Sequence, residues 1–194
     1  MRKAILIISF ILSSLTYGSQ SYFVGGNIGS LETKSLSGNG EINSNSAGYE
    51  FGFSWDKMVL RDFYYELELG FGAKYQSSIV SNDFLKDSYV NTIPVYLNGR
   101  FTTKLENVNY FIEGQIGYTF IDEGVVIDDL ESYFSENIKV KGQLYTGIEA
   151  GIEFSDFYLA LNYSITNFKR EKTTHLEEET YKYIKPSLNF GVRF

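Results

Sequence analysis

Eight stretches of the chain alternate apolar and polar residues with a period of two, and this pattern constrains the fold most. Residues 63–75, FYYELELGFGAKY, carry an apolar, aromatic or small side chain at every odd position, with Glu66, Glu68 and Lys74 between them. A period of two places successive side chains on opposite faces of a β-strand. The pattern recurs in seven more segments: 22–28, 47–55, 89–101, 108–120, 138–154, 157–166 and 184–194. The sequence therefore predicts an all-β protein with eight strands.

The charged residues of these strands fall on one face only. The central part of the apolar face carries no Asp, Glu, Lys or Arg. The opposite face carries Glu50, Glu66, Glu68, Glu113, Glu149, Glu153, Lys74, Arg100, Lys139, Lys141, Lys185 and Arg193. A lipid-facing Lys or Arg at the bilayer midplane costs about 2–4 kcal/mol, which would explain so strict an exclusion. We therefore expect the apolar face to meet lipid and the charged face to line a lumen.

Strand length and connection length both favour a membrane barrel. A tilted spanning strand needs about 9–11 residues, and the predicted strands are roughly this long or slightly longer. Long polar connections at 31–45, 77–87, 122–137 and 169–180 alternate with short ones at 56–62, 102–107 and 155–156. This alternation predicts an antiparallel up-and-down barrel with two unlike ends, and an even strand number returns both termini to the short-turn end.

The alternative is a secreted soluble barrel of lipocalin type, in which the apolar face would point inward. Three features favour the inverted arrangement. Aromatic residues gather near the strand ends, as in the two girdles of a membrane barrel. Balanced charges suit a closed lumen, where an unpaired charge would be costly. The last strand ends with apolar residues at alternate positions, Phe190, Val192 and Phe194.

The first 18 residues predict a secretory signal peptide. Two basic residues, Arg2 and Lys3, precede an apolar run over 4–12 and a small polar exit over 13–18. This order is typical of a signal peptide, and the run is far shorter than the roughly 20 residues of a spanning helix. We expect cleavage after residue 18, so that residues 19–194 form the barrel domain; a retained N-terminal anchor is the alternative.

Composition excludes several classes of function. The chain has no cysteine, which excludes disulfides, thiolate catalysis and a lipoprotein anchor. The formal net charge is −7, which argues against nucleic acid as a partner.

Three motifs carry a resemblance to a known family. They are the opening strand YFVGGNIG at 22–29, the segment TIPVYLN at 92–98, and the terminal aromatic residue after an alternating strand. In this order they resemble the small eight-stranded bacterial outer-membrane β-barrel family, the group of the OmpA transmembrane domain and the OmpX/Ail-type proteins. The resemblance implies location in the bacterial outer membrane, with the short turns and both termini in the periplasm. It also implies contact with outer-membrane lipid and lipopolysaccharide, and recognition of Phe190, Val192 and Phe194 by the barrel-assembly machinery.

A charge network is predicted inside the barrel. Eight strands leave a lumen just wide enough for side chains to fill. Its predicted members are Glu50, Glu66, Glu68, Lys74, Arg100, Glu113, Glu149, Glu153, Lys185 and Arg193. We expect Glu66 and Glu68 to contact Arg100 and Arg193. Phenol groups should complete the network as hydrogen-bond donors, from Tyr64, Tyr96, Tyr145 and Tyr158.

Two prolines fall inside predicted strands, at Pro94 and Pro186. Proline has no backbone N–H, and a closed barrel has no free edge on which to tolerate it. We expect a bulge or a missing ladder hydrogen bond at each proline.

Catalytic and metal sites have weaker support. His175 is the only histidine and lies in a polar loop, where an exposed, non-catalytic role is favoured. Two carboxylate pairs could perform acid–base chemistry, Glu66 with Glu68 or Glu113 with Glu149, but a filled lumen would give a substrate no route to them. The acidic segment 122–136 could attract a cation, although it lacks the ligand spacing of an EF-hand loop. No cofactor is predicted.

A basic cluster lies at the predicted long-loop rim. It comprises Lys169, Arg170, Lys172 and Lys182. Such groups would form charge-assisted hydrogen bonds with lipopolysaccharide phosphates.

The sequence thus predicts a monomeric, non-enzymatic outer-membrane barrel with a structural or surface-contact role. Envelope integrity and adhesion to host surface proteins are the functions that the resemblance implies, exerted through the four long loops. The alternatives are a small-solute porin and a lipid-directed enzyme that uses His175.

Overall fold

A computed structural model describes residues 18–34, 41–82, 85–105, 107–121, 139–171 and 178–194. Eight antiparallel strands pair in sequence order and close into a barrel. They are β1 (Ser19–Lys34), β2 (Glu41–Arg61), β3 (Tyr65–Asn82), β4 (Leu85–Thr103), β5 (Asn109–Ile121), β6 (Lys139–Phe154), β7 (Phe157–Glu171) and β8 (Glu178–Arg193). Within these residues, no helix is long and apolar enough to cross a membrane. The predicted eight-stranded up-and-down architecture is confirmed.

The barrel is apolar outside and charged inside. Val24, Leu97 and Leu161 are 61%, 65% and 68% exposed on the outer surface. Glu50 and Lys185, by contrast, are 1% and 0% exposed. A lipocalin-like barrel would show the reverse arrangement. The predicted sidedness of a membrane barrel is therefore confirmed.

The start of β1, the end of β8 and the short turns lie at the same end of the barrel. Gln20 and Phe194 exchange both backbone hydrogen bonds, each at 2.9 Å, and so join β1 to β8 there. The two-residue turn between β6 and β7 contains Ser155, whose φ of 55° is of the positive kind that tight hairpins require.

At the opposite end the strands are longer than predicted. β1 and β2 stay paired as far as Lys34 and Glu41, and β3 and β4 as far as Asn82 and Leu85. Much of the predicted loops 31–45 and 77–87 is therefore strand. The sequence of stretches such as 41–46, EINSNS, is polar except for Ile42, so the alternation that marks a strand is lost. Backbone pairing does not require an apolar face, and the hairpins continue without one.

Each proline interrupts one ladder. β1 and β8 pair at Asn27 with Ser187 and again at Ser30 with Ile184, but not at Pro186 between them. On its other side Pro186 stays in register with β7. Pro94 behaves in the same way, with an interruption toward β3 and continuous pairing toward β5. The predicted missing ladder bonds are confirmed, because proline lacks the N–H that one neighbour would accept.

A register shift in β6 corrects one part of the predicted polar face. The pairing with β7 shifts between Gly142 and Tyr145. A shift of one residue moves the following side chains to the other face. Lys141 is therefore exposed rather than enclosed, and the side chain of Lys139 lies outside the described part.

Candidate functional site

The lumen is the candidate functional site because it concentrates the charged residues. Its enclosed acids are Glu50, Asp56, Glu68, Glu113, Glu149 and Glu153, and its enclosed bases are Lys74, Arg100, Lys185 and Arg193. Removing such groups from water is costly unless each finds a partner. The pairing geometry therefore decides whether the lumen is a stable plug.

Two arginines near the short-turn end share one glutamate. Arg100 Nη2 donates to Glu153 Oε1 at 2.5 Å, and the same oxygen lies 3.7 Å from Arg193 Nη1. Arg193 Nη2 donates to Glu68 Oε2 at 2.5 Å. Glu113 Oε2 lies 3.8 Å from Arg100 Nη1. These five residues, from β3, β4, β5, β6 and β8, form the arginine cluster.

Asp56 also enters this cluster, and the sequence analysis missed it. Its carboxylate lies 3.7 Å from Arg193 Nη1 and accepts a hydrogen bond from Asn98 Nδ2 at 2.5 Å. Residues 56–62 read as a turn because they lack alternation. Extending the inward parity of Glu50 and Ser54 by one further step would have found Asp56.

Aromatic rings hold the guanidinium of Arg100. Its Cζ lies 3.5 Å from the ring centroid of Phe111 and 5.6 Å from that of Tyr158. The two rings contact each other edge to face, with centroids 5.9 Å apart. Cation–π attraction of this kind strengthens when water is excluded. The arginine is therefore fixed in position as well as neutralised.

A second cluster surrounds Lys74 in the middle of the lumen. Its Nζ lies 3.8 Å from Glu50 Oε1 and 3.4 Å from Asn162 Oδ1. Glu50 also accepts hydrogen bonds from Gln76 Nε2 at 2.7 Å and Ser187 Oγ at 2.8 Å. A fully enclosed carboxylate thus has three partners from two other strands, β3 and β8.

Tyr145 connects the two clusters. Its hydroxyl donates to Gln115 Oε1 at 2.7 Å, and Gln115 Nε2 donates to Glu113 Oε1 at 2.8 Å. Lys74 Nζ lies 5.2 Å from the ring centroid of Tyr145. The lumen therefore contains one connected polar network, in which each bond can polarise the next.

Lys185 lies nearer the long-loop end, and its hydrogen-bond partners among the described residues are neutral. Its Nζ donates to Gln76 Oε1 at 3.0 Å and to Thr92 Oγ1 at 3.2 Å. It also lies 4.3 Å from the ring centroid of Tyr183. Within the described residues, no carboxylate oxygen comes within 4.0 Å of it.

The pair Glu113 and Glu149 is brought together, since the two residues are directly opposite in β5 and β6. They are 3% and 5% exposed. Glu149 Oε2 accepts hydrogen bonds from Asn189 Nδ2 at 3.2 Å and Asn162 Nδ2 at 3.4 Å. Both carboxylates therefore contact other lumen side chains and are buried from solvent.

The other carboxylate pair is divided between two environments. Glu66 lies at the mouth of the lumen, where Oε1 is 3.1 Å from Arg61 Nε and 2.5 Å from Lys104 Nζ. The expectation that Glu66 contacts Arg100 and Arg193 is wrong. Glu66 pairs instead with Arg61 at the end of β2 and with Lys104 just after β4. Tyr64 is 65% exposed in the turn before β3 and so does not line the lumen.

The remaining predicted residues lie at the rims or outside the described part. Lys182 lies on β8 opposite Asn167, and Lys169 and Arg170 belong to β7. His175, Lys172 and the acidic segment 122–136 are not among the described residues. No group of three or more His, Asp or Glu side chains able to hold a metal occurs within the described ranges.

The predicted assembly signal occupies the end of β8. Phe190 and Phe194 are 47% and 72% exposed on the outer surface. Phe190 stacks on Phe157 of β7, with ring centroids 5.9 Å apart. Val192 pairs with Tyr22 and with Phe157 across the two neighbouring strands.

Comparison with known proteins identifies structural neighbours only. No family model matches the chain, and no curated protein matches it. The outer membrane protein OprG from Pseudomonas aeruginosa has 11% sequence identity and a TM-score of 0.58, over 92% of this chain and 96% of that chain. The outer membrane enzyme PagL has 13% identity and a TM-score of 0.49, over 86% of this chain and 98% of that one. Ail, the attachment invasion locus protein of Yersinia pestis, has 12% identity and a TM-score of 0.40, over 92% and 99%.

At such low identity the likeness to OprG concerns the fold alone. It extends over nearly the whole of both chains. The resemblance to small eight-stranded outer-membrane barrels is confirmed at this level.

Proposed function

We propose that the protein is a non-enzymatic outer-membrane barrel with a sealed lumen and a structural, surface-contact role. One observation carries the proposal: an apolar exterior surrounds a lumen whose charged side chains contact one another. An apolar surface of this extent is stable only against lipid. A lumen filled by paired side chains supports a plug rather than a channel, and its enclosed carboxylates suit stability better than catalysis.

Contact with other molecules then belongs to the long-loop end. The hairpins β1–β2 and β3–β4 extend there beyond the apolar exterior. A rigid barrel that presents polar hairpins is suited to binding surface proteins or stabilising the envelope. Lys169, Arg170, Lys172 and Lys182 are proposed to bind lipopolysaccharide phosphates, and Phe190, Val192 and Phe194 to engage the assembly machinery. We propose that the short turns, with the start of β1 and the end of β8, face the periplasm.

Refolding and conductance measurements test the proposal. Residues 19–194 are refolded into detergent and then into lipid vesicles, and insertion is followed by heat-modifiable migration on gels. We expect a heat-modifiable band, and no steady conductance when the protein is added to planar bilayers. Steady conductance would favour a small-solute porin. A chain that stays monodisperse in buffer without detergent would refute membrane location.

A further inference from the structure

Lys57 is a charged residue on the outer face of the barrel wall. In β2 the side chain of Asp56 is fully enclosed, whereas Lys57 is exposed and pairs with Leu69, which is 53% exposed on the outer surface. The next outward pair toward the middle of the barrel is Trp55 with Phe71. A membrane barrel tolerates an outward lysine only near the lipid head groups, because hydrocarbon cannot solvate the ammonium. Lys57 therefore indicates the depth at which head groups meet this part of the wall.

This depth is the rim of the barrel at the short-turn end. β1 begins at Ser19, which pairs with Asp56, the residue just before Lys57. The adjacent Gln20 exchanges both backbone hydrogen bonds with Phe194 at the end of β8. Since the short turns are proposed to face the periplasm, the head groups at Lys57 belong to the periplasmic leaflet. That leaflet lies opposite the one proposed to contain lipopolysaccharide, so its lipids are glycerophospholipids.

Two further hydrogen-bond donors lie beside Lys57 on the same face. Trp55 packs on Phe71 with ring centroids 5.6 Å apart, and its indole N–H has no hydrogen-bond partner among the described residues. Gln20 lies directly opposite Trp55 in β1, and its Oε1 accepts a hydrogen bond from the Tyr22 hydroxyl at 3.2 Å. The amide NH₂ of Gln20 remains as a donor. Residues two apart on a strand are about 6–7 Å apart, so these side chains can converge on one phosphate.

Gly18 covers the indole of Trp55. A Cβ atom at Gly18 would lie 2.5 Å from Trp55 Nε1, so the backbone of residue 18 packs against the ring. Trp55 is accordingly only 9% exposed, although it occupies an outward position. A chain of residues 19–194, which the predicted cleavage would produce, lacks this cover. The indole N–H is then open toward the head groups.

We propose that Lys57, Trp55 and Gln20 form a head-group site for the phosphate of an anionic glycerophospholipid in the periplasmic leaflet. The proposal rests on the proposed membrane location and orientation. Within the described residues, no carboxylate oxygen lies within 4.0 Å of Lys57 Nζ, so a lipid phosphate can serve as its counter-ion. A zwitterionic head brings an ammonium of its own, which Lys57 repels, whereas an anionic head does not. The acyl chains lie along the apolar surface above, where Phe51 and Phe53 are 50% and 45% exposed.

The test uses the fluorescence of Trp55, which is the only tryptophan of the chain. Residues 19–194 are refolded into vesicles of dioleoyl phosphatidylcholine. The vesicles contain, at equal mole fraction, either dibrominated phosphatidylglycerol or dibrominated phosphatidylcholine, and bromine quenches tryptophan on contact. We expect the anionic lipid to be preferred about fivefold at Trp55. This ratio corresponds to about 1 kcal/mol, the usual contribution of one lysine near an anionic membrane surface.

Lys57→Gln removes the charge and should reduce the preference to about one. Arg61→Gln is the matched control, because it removes one positive charge from the same strand four residues nearer the turn. The Arg61 guanidinium already pairs with Glu66 at 3.1 Å, so this variant should keep the preference of the unchanged chain. Heat-modifiable migration of both variants checks that each barrel has folded.

The outcomes separate this proposal from the proposed function. Equal quenching by the two brominated lipids would overturn the head-group site and leave the membrane location intact, since quenching by either lipid places Trp55 against acyl chains. The same loss of preference in Arg61→Gln as in Lys57→Gln would show that overall charge attracts the lipid, which also overturns the site. So would a heat-modifiable barrel that neither lipid quenches. A chain that shows neither quenching nor heat-modifiable migration would instead refute the membrane location itself.

Discussion

At the residue scale, the central physical problem is how the enclosed charges are neutralised. Arg100 is 1% exposed and has Glu153 at 2.5 Å, Glu113 at 3.8 Å and an aromatic ring below its guanidinium. Arg61 also contacts a glutamate, at 3.1 Å, but its side chain is 65% exposed. Solvent screens such an exposed pair, whereas a buried charge depends entirely on its partners. The two arginines therefore contribute very differently to stability.

Replacing Arg100 by methionine should destabilise the barrel strongly. The change leaves Glu113 and Glu153 enclosed with one cation fewer, and breaking a buried pair in this way costs about 3–5 kcal/mol. Urea unfolding in lipid vesicles, followed by tryptophan fluorescence, measures the loss. Arg61→Met is the control and should change the free energy of unfolding by no more than about 1 kcal/mol. Equal effects of Arg100→Met and Arg61→Met would show that water enters the lumen and screens its charges.

At the scale of the strands, the two prolines determine where the backbone ladders of the barrel wall are interrupted. Pro186 and Pro94 each remove one donor, and in each case only one of the two flanking ladders is interrupted. The amide of a residue in a β-strand points toward a single neighbour, so its loss affects that side alone. A shallow groove on the outer surface, lined by Ile28, Tyr163 and Pro186, lies at the interruption between β1 and β8.

Pro186→Ala should restore a protected amide at this position. The new N–H can complete the ladder to β1, a bond worth about 0.5–1.5 kcal/mol. Greater freedom of the unfolded chain offsets about 0.4–1 kcal/mol of this gain, so the net stability should change little. Amide hydrogen exchange measured by NMR in micelles is the decisive readout, with Leu188 as a reference strand amide. Rapid exchange at position 186 would show that the gap has another cause.

The strands could be predicted from sequence only where lipid imposes alternation. The outward positions of β7, such as Leu159 and Leu161, must be apolar because they face lipid. The alternation of apolar and polar residues follows from this requirement. Residues 41–46 are polar except for Ile42 and show no alternation, so their sequence carries no signal of the strand that they form. The shift in β6 also depends on pairing with neighbours, which a single strand's sequence does not encode. The partners of Glu66 were missed for the same reason. Asp56 was missed although the inward parity of β2 continues to it.

At the scale of the whole molecule, function depends on which surroundings the outer face and the lumen of the barrel require. The inner network would be costly in a lumen open to hydrocarbon, and the outer aromatic and aliphatic side chains would be costly in water. One sequence satisfies both conditions only when the barrel spans a bilayer. The hairpins at one end and the short turns at the other then face different compartments.

Leu97→Arg tests this sidedness directly. Leu97 lies in the middle of β4 and is 65% exposed on the outer surface. In a bilayer, a lipid-facing arginine near the midplane should lower the free energy of unfolding by about 2–4 kcal/mol. Leu105→Arg is the matched control, since Leu105 is 57% exposed but lies at the short-turn end, where the cost falls to about 0–1 kcal/mol. Urea titrations of both variants in vesicles of one lipid composition measure the difference. In a water-soluble barrel both arginines would be harmless surface substitutions within about 0.5 kcal/mol, so a difference that depends on depth can arise only from lipid.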